Sequence, residues 1–383
     1  MQNYIDKIDC HILKNVKSYE YNSKSLDCIV YVQDFNTSLE FFSKKQFNIL
    51  SQYPFIKALA LRVNLNDFAK LAQLSQVNYI SSKAQVYAQV DISRKIMNIN
   101  EFHKQGIKGK NVRIAIVDTG LSPHVDLVTP VNRIVTFVDF LNHKKNIYDD
   151  NGHGTAVAGL LAGNGIKSAG KYKGIAPESE LIILKALDSE GQTTTIEMLN
   201  SMQWIYDNHE KYNIRIVCMS FGATPLAKND PLVKGAEKLW KEGICVVAAA
   251  GNSGPNSSTV KSPAVSNKII SVGAFNDNRQ ENPDLLISKF TVPEFSSRGP
   301  AFDNYKPDVL ATGVNVMTTS QNGDYAKMSG TSMSTPIIAG TCALLLQYSK
   351  FSWNPDEIKT ILTQNCTTLH YERNTEGFGA VIF

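Results

Sequence analysis

The sequence predicts an α/β protein, a parallel sheet flanked by helices, preceded by a smaller α+β unit. Three observations carry that expectation. From about residue 112 onward, near-continuous apolar runs at 112–117, 181–184, 214–219, 244–250 and 269–274 have the length and texture of strands covered on both faces. The stretches between them read as helices with recognisable ends, and strand alternating with helix defines the class. The first 90 residues have a different grain, with two well-patterned strand-helix-strand units and no glycine-rich motif.

In chain order, 26–32 (Leu-Asp-Cys-Ile-Val-Tyr-Val) reads as a strand, and 38–47 as an amphipathic helix carrying Leu39, Phe41, Phe42 and Phe47. Residues 58–63 resume extended structure. Asn66 or Asp67 then caps a second helix bearing Phe68, Leu71 and Leu74, and 77–80 form a further strand. Strand-helix-strand repeated is the pattern of an open-faced, ferredoxin-like α+β sandwich. The expected domains are therefore 1–90 and 91–383, with 91–108 as the connection. In the second, Thr194-Thr195-Ile196-Glu197 resembles a capping box ahead of Leu199, Met202 and Ile205. Asp230-Pro231 supplies a cap and a first-turn proline, Leu232, Val233, Ala236, Leu239 and Trp240 make one face, and Gly243 stops the helix. The polar stretch 276–290, with Pro283, reads as a surface loop.

Composition narrows the function. The 383 residues are 43% hydrophobic and 19% charged, which excludes a disordered or collagen-like chain. No run approaches the roughly 18 apolar residues of a membrane span. Lys and Arg number 39 against 35 Asp and Glu, a net +4 too small and too scattered to favour nucleic acid or a membrane surface as partner. Residues 1–17 lack the apolar segment and small-residue cleavage site of a secretory leader. Six cysteines without CxxC spacing then read as free thiols in a reducing compartment, and the expected location is cytoplasmic.

Three segments carry chemistry. Ile114 to Gly120 ends a buried strand with a carboxylate, Asp118, and a glycine turn. Asn151-Gly152-His153-Gly154-Thr155 places an imidazole between glycines, ahead of the apolar helix 156–163. Ser329-Gly330-Thr331-Ser332-Met333 places hydroxyls ahead of the apolar helix 337–346. Each alone is explained by an ordinary turn or cap. Together they supply a nucleophile, a base and a group to orient the base, which serine chemistry requires because a hydroxyl is inert until an imidazole takes its proton. Helices apolar all round are buried, and so make rigid platforms whose N-termini aim N–H groups at developing negative charge.

In these motifs, and in the order Asp, His, Ser at separations of 35 and 179 residues, the chain resembles the subtilisin-like serine proteases, the subtilases of peptidase family S8. The resemblance implies a subtilisin-like catalytic domain with Asp118 as orienting carboxylate, His153 as general base and Ser332 as the acylated nucleophile. It implies that Asn252, in Ala250-Gly251-Asn252-Ser253-Gly254, donates to the oxyanion. Ser220, Phe221 and Gly222, with Ala249, Ala250 and Gly251, would wall the primary specificity pocket. Lys185, Ala186 and Leu187 would form the opposite substrate-binding strand, holding an extended peptide by main-chain hydrogen bonds. The small residues of the pocket imply room for a large apolar or aromatic residue. Ser262-Pro263 falls where the family often has a cis proline. Ala156, Ile337 and Thr312 depart from family habit, with altered packing or pocket shape as the expected result. Asp126 matches a frequent calcium ligand, although the lysine-rich loop 164–173 is poor in hard oxygen donors. No cofactor is required for the chemistry, and structural calcium at Asp126 is the one candidate.

The resemblance also gives the first 90 residues a role, that of a prodomain covering the cleft with its own tail, removed near Tyr87–Ala88. The expected enzyme is a serine endopeptidase acting on peptides or proteins, made as a self-inhibited precursor. Three other readings stay open: a regulatory domain that is never removed, a dedicated maturation or sporulation-type protease with one main target, and a prodomain-locked, non-proteolytic binding protein.

Overall fold

The computed structural model describes residues 7–8, 25–54, 57–82, 94, 96–225, 230–278 and 289–383. Tyr87, Ala88, Cys10 and most of the 276–290 loop lie outside them. The chain divides into two compact units, Met1–Tyr87 and Ala88–Phe383.

In the first unit, β1 (Ser25–Val32) alternates half-buried and buried residues, as a strand with one covered face must. It is followed by α1 (Phe35–Lys44), β2 (Asn48–Tyr53), β3 (Ala58–Asn64), α2 (Leu65–Gln73) and β4 (Val77–Ser82). The sheet order is β2-β3-β1-β4, antiparallel throughout, with Cys28 opposite Leu61 and Val30 opposite Ile80. This β-α-β-β-α-β path is the ferredoxin-like arrangement. Val30, Phe42, Leu59, Leu61, Leu71 and Ile80 are fully buried at its centre. Three details depart from expectation. Helix α2 starts at Leu65 with Asn64 at its N-cap, so Asn66 and Asp67 lie inside its first turn instead of at its cap. The first helix starts at Phe35 because the Asp34 carboxylate caps it through Thr37 N–H. The edge strand β2 was not foreseen, because none of its six residues is buried and it shows no apolar stripe.

The second unit is built on a nine-stranded sheet. Its elements are α3 (Ile99–Lys104), β5 (Arg113–Asp118), α4 (Val125–Val128), β6 (Ile134–Asp139), α5 (His153–Ala162), β7 (Glu180–Lys185), α6 (Thr195–Tyr212), β8 (Ile214–Met219), α7 (Pro231–Lys241), β9 (Cys245–Ala249) and β10 (Ile270–Phe275). They continue through β11 (Val309–Thr312), β12 (Val316–Thr319), β13 (Tyr325–Met328), α8 (Thr331–Tyr348), α9 (Pro355–Gln364), β14 (Cys366–Thr367), α10 (Arg373–Glu376) and β15 (Ala380–Val381). The order is β14-β15-β11-β10-β9-β8-β5-β7-β6, with every pair from β11 to β6 parallel. All five expected strands are present. All five residues of β9 are buried, and the strand is contacted by both α8 and α7.

The sheet positions the site by its topology. The strands β9, β8, β5 and β7 are neighbours and run in one direction, so their last residues, Ala249, Met219, Asp118 and Lys185, share one edge. Ligands of such sheets bind beyond that edge. Thr194 caps α6 through Ile196 N–H, and the Asp230 carboxylate caps α7 above Pro231. Ser262-Pro263 is cis. The helices α5 and α8 start earlier than their apolar runs, so His153 and Ser332 lie within the first turns instead of ahead of them.

Candidate active site

Asp118 closes β5 and is fully buried. Its Oδ1 accepts from Thr119 N–H at 2.8 Å and lies 2.8 Å from His153 Nδ1. Its Oδ2 is buried with no hydrogen-bond partner among the described residues, so the carboxylate charge is offset chiefly through the Thr119 N–H and the imidazole. Gly154 makes this approach possible, since a Cβ there would fall 2.2 Å from Gly120 O and would push α5 off the end of β5.

His153 opens α5 with its side chain about one-fifth exposed. Burial pushes its pKa down, but the Asp118 charge and hydrogen bond, with Asp149 adding to them, outweigh burial and hold it above the ordinary 6.5. An imidazole that donates Nδ1–H to a carboxylate keeps the Nε2 lone pair as its basic site. Asp149 plays a part that the sequence reading missed. Its carboxylate accepts from Thr119 Oγ1, the N–H groups of Asn151, Gly152 and Thr155, and Thr155 Oγ1, at 2.6 to 3.1 Å. Burial raises its pKa, and these bonds more than reverse that. Thr119 Oγ1 in turn accepts from Gly154 N–H. Asp149 thus fixes the loop that presents the imidazole. A carboxylate four residues ahead of a helix start was the signal available for it.

Ser332, half-buried, is the second residue of α8, where backbone N–H groups have no intrahelical acceptor. Asn252 Oδ1 accepts from Thr331 N–H at 2.9 Å and Thr331 Oγ1 at 3.0 Å, and Gly251 N–H donates to that same hydroxyl. With the amide oxygen committed to Thr331, the Asn252 Nδ2 donor is free to face the cleft. Gly330, at φ +148°, guards the space between these groups. A Cβ there would lie 3.0 Å from Ser332 Oγ and 3.2 Å from Asn252 Nδ2.

His153, Ser332 and Asn252 border one cleft of about 720 Å³, together with Ser220, Phe221, Gly222, Ala249, Gly251 and Leu187. Of the expected substrate-binding residues, Ala250, Ala186 and Lys185 do not. Ala250 is buried and tied into the sheet through Val272 O. Ala186 and Leu187 give their N–H groups to Asp118 O, so this segment's backbone is committed to β5, and the wall on that side continues through 190–195. Lys185 is buried, its ammonium held by Thr119 O at 2.7 Å, Asp150 Oδ1 at 2.6 Å and Leu187 O at 2.9 Å. It clamps three loops together at the sheet edge and does not reach the cleft. Ala156, Ile337 and Thr312 are buried and also stand back from it.

The surroundings of Asp126 do not fit calcium. Its Oδ1 accepts from Lys167 N–H at 2.9 Å and its Oδ2 from Tyr325 Oη at 2.6 Å, while the Lys167 ammonium reaches Gly323 O and Asp324. These are donors where a hard cation needs oxygen acceptors. Among the described residues no group of three or more His, Cys, Asp or Glu is arranged to hold a metal.

A parallel α/β sheet with an imidazole, a carboxylate, a serine and an amide gathered beyond its strand ends defines a serine protease of the subtilisin-like fold. The chain belongs to the subtilase family, whose profile matches residues 109–381. It is 40% identical to Serine protease AprX of Bacillus subtilis (strain 168) over 336 residues, 81% of this chain and 74% of that one. It is 30% identical to Alkaline elastase YaB of Bacillus sp. (strain YaB) over 337 residues, 88% and 80% of the two chains. Among solved structures it is similar to Sphericase, with TM-score 0.63 and 27% identity, covering 72% of this chain and 92% of that one. Among the described residues no helix is long and apolar enough to cross a membrane.

Proposed function

We propose that the chain is an endopeptidase that cleaves peptide bonds through Asp118, His153 and Ser332, and that residues 1–90 are its inhibitory prodomain. The observation that carries the reading is the 2.8 Å contact of His153 Nδ1 with Asp118 Oδ1, in a cleft that Ser332 and Asn252 also border. Ser332 Oγ attacks the peptide carbonyl while His153 Nε2 takes its proton. The oxyanion that forms is met by Asn252 Nδ2 and the Ser332 N–H, groups already oriented before charge appears. His153 then returns the proton to the leaving amine, and water repeats the sequence to release the acyl group. No metal or cofactor enters these steps.

The ferredoxin-like order of the first unit supports its reading as a folding and inhibitory module, released near Tyr87–Ala88. Free thiols at Cys28, Cys218, Cys245, Cys342 and Cys366 support a reducing, cytoplasmic setting. In the purified full-length chain, Ser332→Ala is expected to abolish both peptide hydrolysis and release of the N-terminal segment. Continued processing by that variant contradicts the assignment.

A further inference from the structure

Lys261 stands between the two walls of the candidate specificity pocket. Its N–H donates to Ala250 O at 2.8 Å, and the neighbouring Ser262 exchanges both backbone hydrogen bonds with Ala223. Residue 261 is therefore bracketed by the segments 249–251 and 221–223. A Cβ at Gly222 would fall 2.6 Å from Lys261 Cβ, and one at Gly251 would fall 2.5 Å from Lys261 Cγ. The lysine stem lies against both glycines and fills the room that the sequence had assigned to a large apolar substrate side chain. Its ammonium has no hydrogen-bond or ion-pair partner among the described residues, and the residue borders the same cleft as Ser332 and Asn252. The other charged or titratable side chains along that cleft are His153, engaged by Asp118, and Glu190, exposed on the 187–195 wall.

A cation pinned by its stem, with no countercharge paired to it among the described residues, is complementary to a carboxylate delivered by the substrate. We propose that Lys261 makes this pocket select glutamate or aspartate as the residue that donates the scissile carbonyl. The proposal deepens the protease reading above and rests on it. Neutral side chains of similar length pay the cost of desolvating the ammonium without offsetting its charge, so the preference is a difference in transition-state binding.

The test uses peptide substrates of the active enzyme that differ only at that residue: Glu, its neutral isostere Gln, Phe and Lys. For the natural sequence, kcat/KM for Glu is expected to exceed that for Gln by about tenfold, above the few-fold effect of a fully exposed ion pair. The ratio should shrink as salt is raised. Lys261→Met, which keeps the stem, should bring the Glu-to-Gln ratio to one or below, and Lys261→Glu should favour Lys over Gln. A ratio near one in the natural sequence, or one that Lys261→Met leaves unchanged, overturns the proposal. If Gln and Phe are cleaved in a Ser332-dependent way without preference for Glu, only the role of Lys261 falls. If no peptide is cleaved and Ser332→Ala changes nothing, the protease reading falls with it.

Discussion

The proposed chemistry rests on single side chains, and the imidazole of His153 is the one whose state can be followed. Because the Asp118 carboxylate and Asp149 hold its pKa above 6.5 against the effect of burial, the base is lost to protonation at a higher pH than an isolated histidine would be. The acid limb of kcat/KM, which reports the free enzyme, is therefore expected to have its midpoint above 6.5 and to move down in Asp118→Asn, with a large loss of rate. A midpoint below 6.5 in the natural sequence contradicts the pairing. Asp118, His153, Ser332 and Asn252 could be picked out of the sequence because the proposed chemistry demands particular residue types at strand and helix ends. Lys185 was misread, since spacing marks a strand end but not which way a side chain turns, and its ammonium turns inward to Asp150. Lys261 was missed for the opposite reason. Nothing in a Thr-Val-Lys-Ser-Pro stretch announces that two glycines, just past the ends of the neighbouring strands β8 and β9, close around its stem.

Secondary-structure elements were mostly legible where burial was complete. The β5, β8 and β9 runs have continuous apolar patterns because both faces are covered, and the Asp230-Pro231 start of α7 carries its own cap. The helix α8 is buried along nearly its whole length, and Pro336 within it lacks the N–H that the Ser332 carbonyl would otherwise accept. Edges were harder, as the half-exposed β2 and the capping box of α9, Asn354 with Glu357, went unforeseen. The turn between β6 and α5, with its Asp149 hub, is anchored to Thr119 at the end of β5, a partner 30 residues away that no local pattern marks. At this scale the Asp126 region gives a prediction. A calcium ion held there at a hundredfold excess over its Kd would add about 2.7 kcal/mol, whereas the Lys167 and Tyr325 donors already occupy the carboxylate. EDTA is expected to leave the Tm of the full chain unchanged, and a fall of several degrees reversed by calcium refutes the internal pairing.

The whole molecule joins a ferredoxin-like unit to a subtilisin-like one, and its stability answers to groups far from the cleft. Lys306 is buried beside Asp308 and Lys359, and burial brings its pKa down from 10.5 to about 8. Between those values the unfolded chain holds a proton that the folded chain has released, so stability rises with pH across that window and is lost as pH falls through 8. The difference in urea midpoint between the natural sequence and Lys306→Met should therefore change with pH between 8 and 10.5, in favour of the natural sequence at the alkaline end. A difference independent of pH excludes this linkage. The proposed activity depends on Asp118, His153 and Ser332 acting as one acyl-transfer unit. The most direct measurement is mass spectrometry of the chain after reaction with a fluorophosphonate. It should find a single adduct on Ser332 that disappears in His153→Ala, whereas an adduct elsewhere, or one undiminished without the imidazole, would contradict the account.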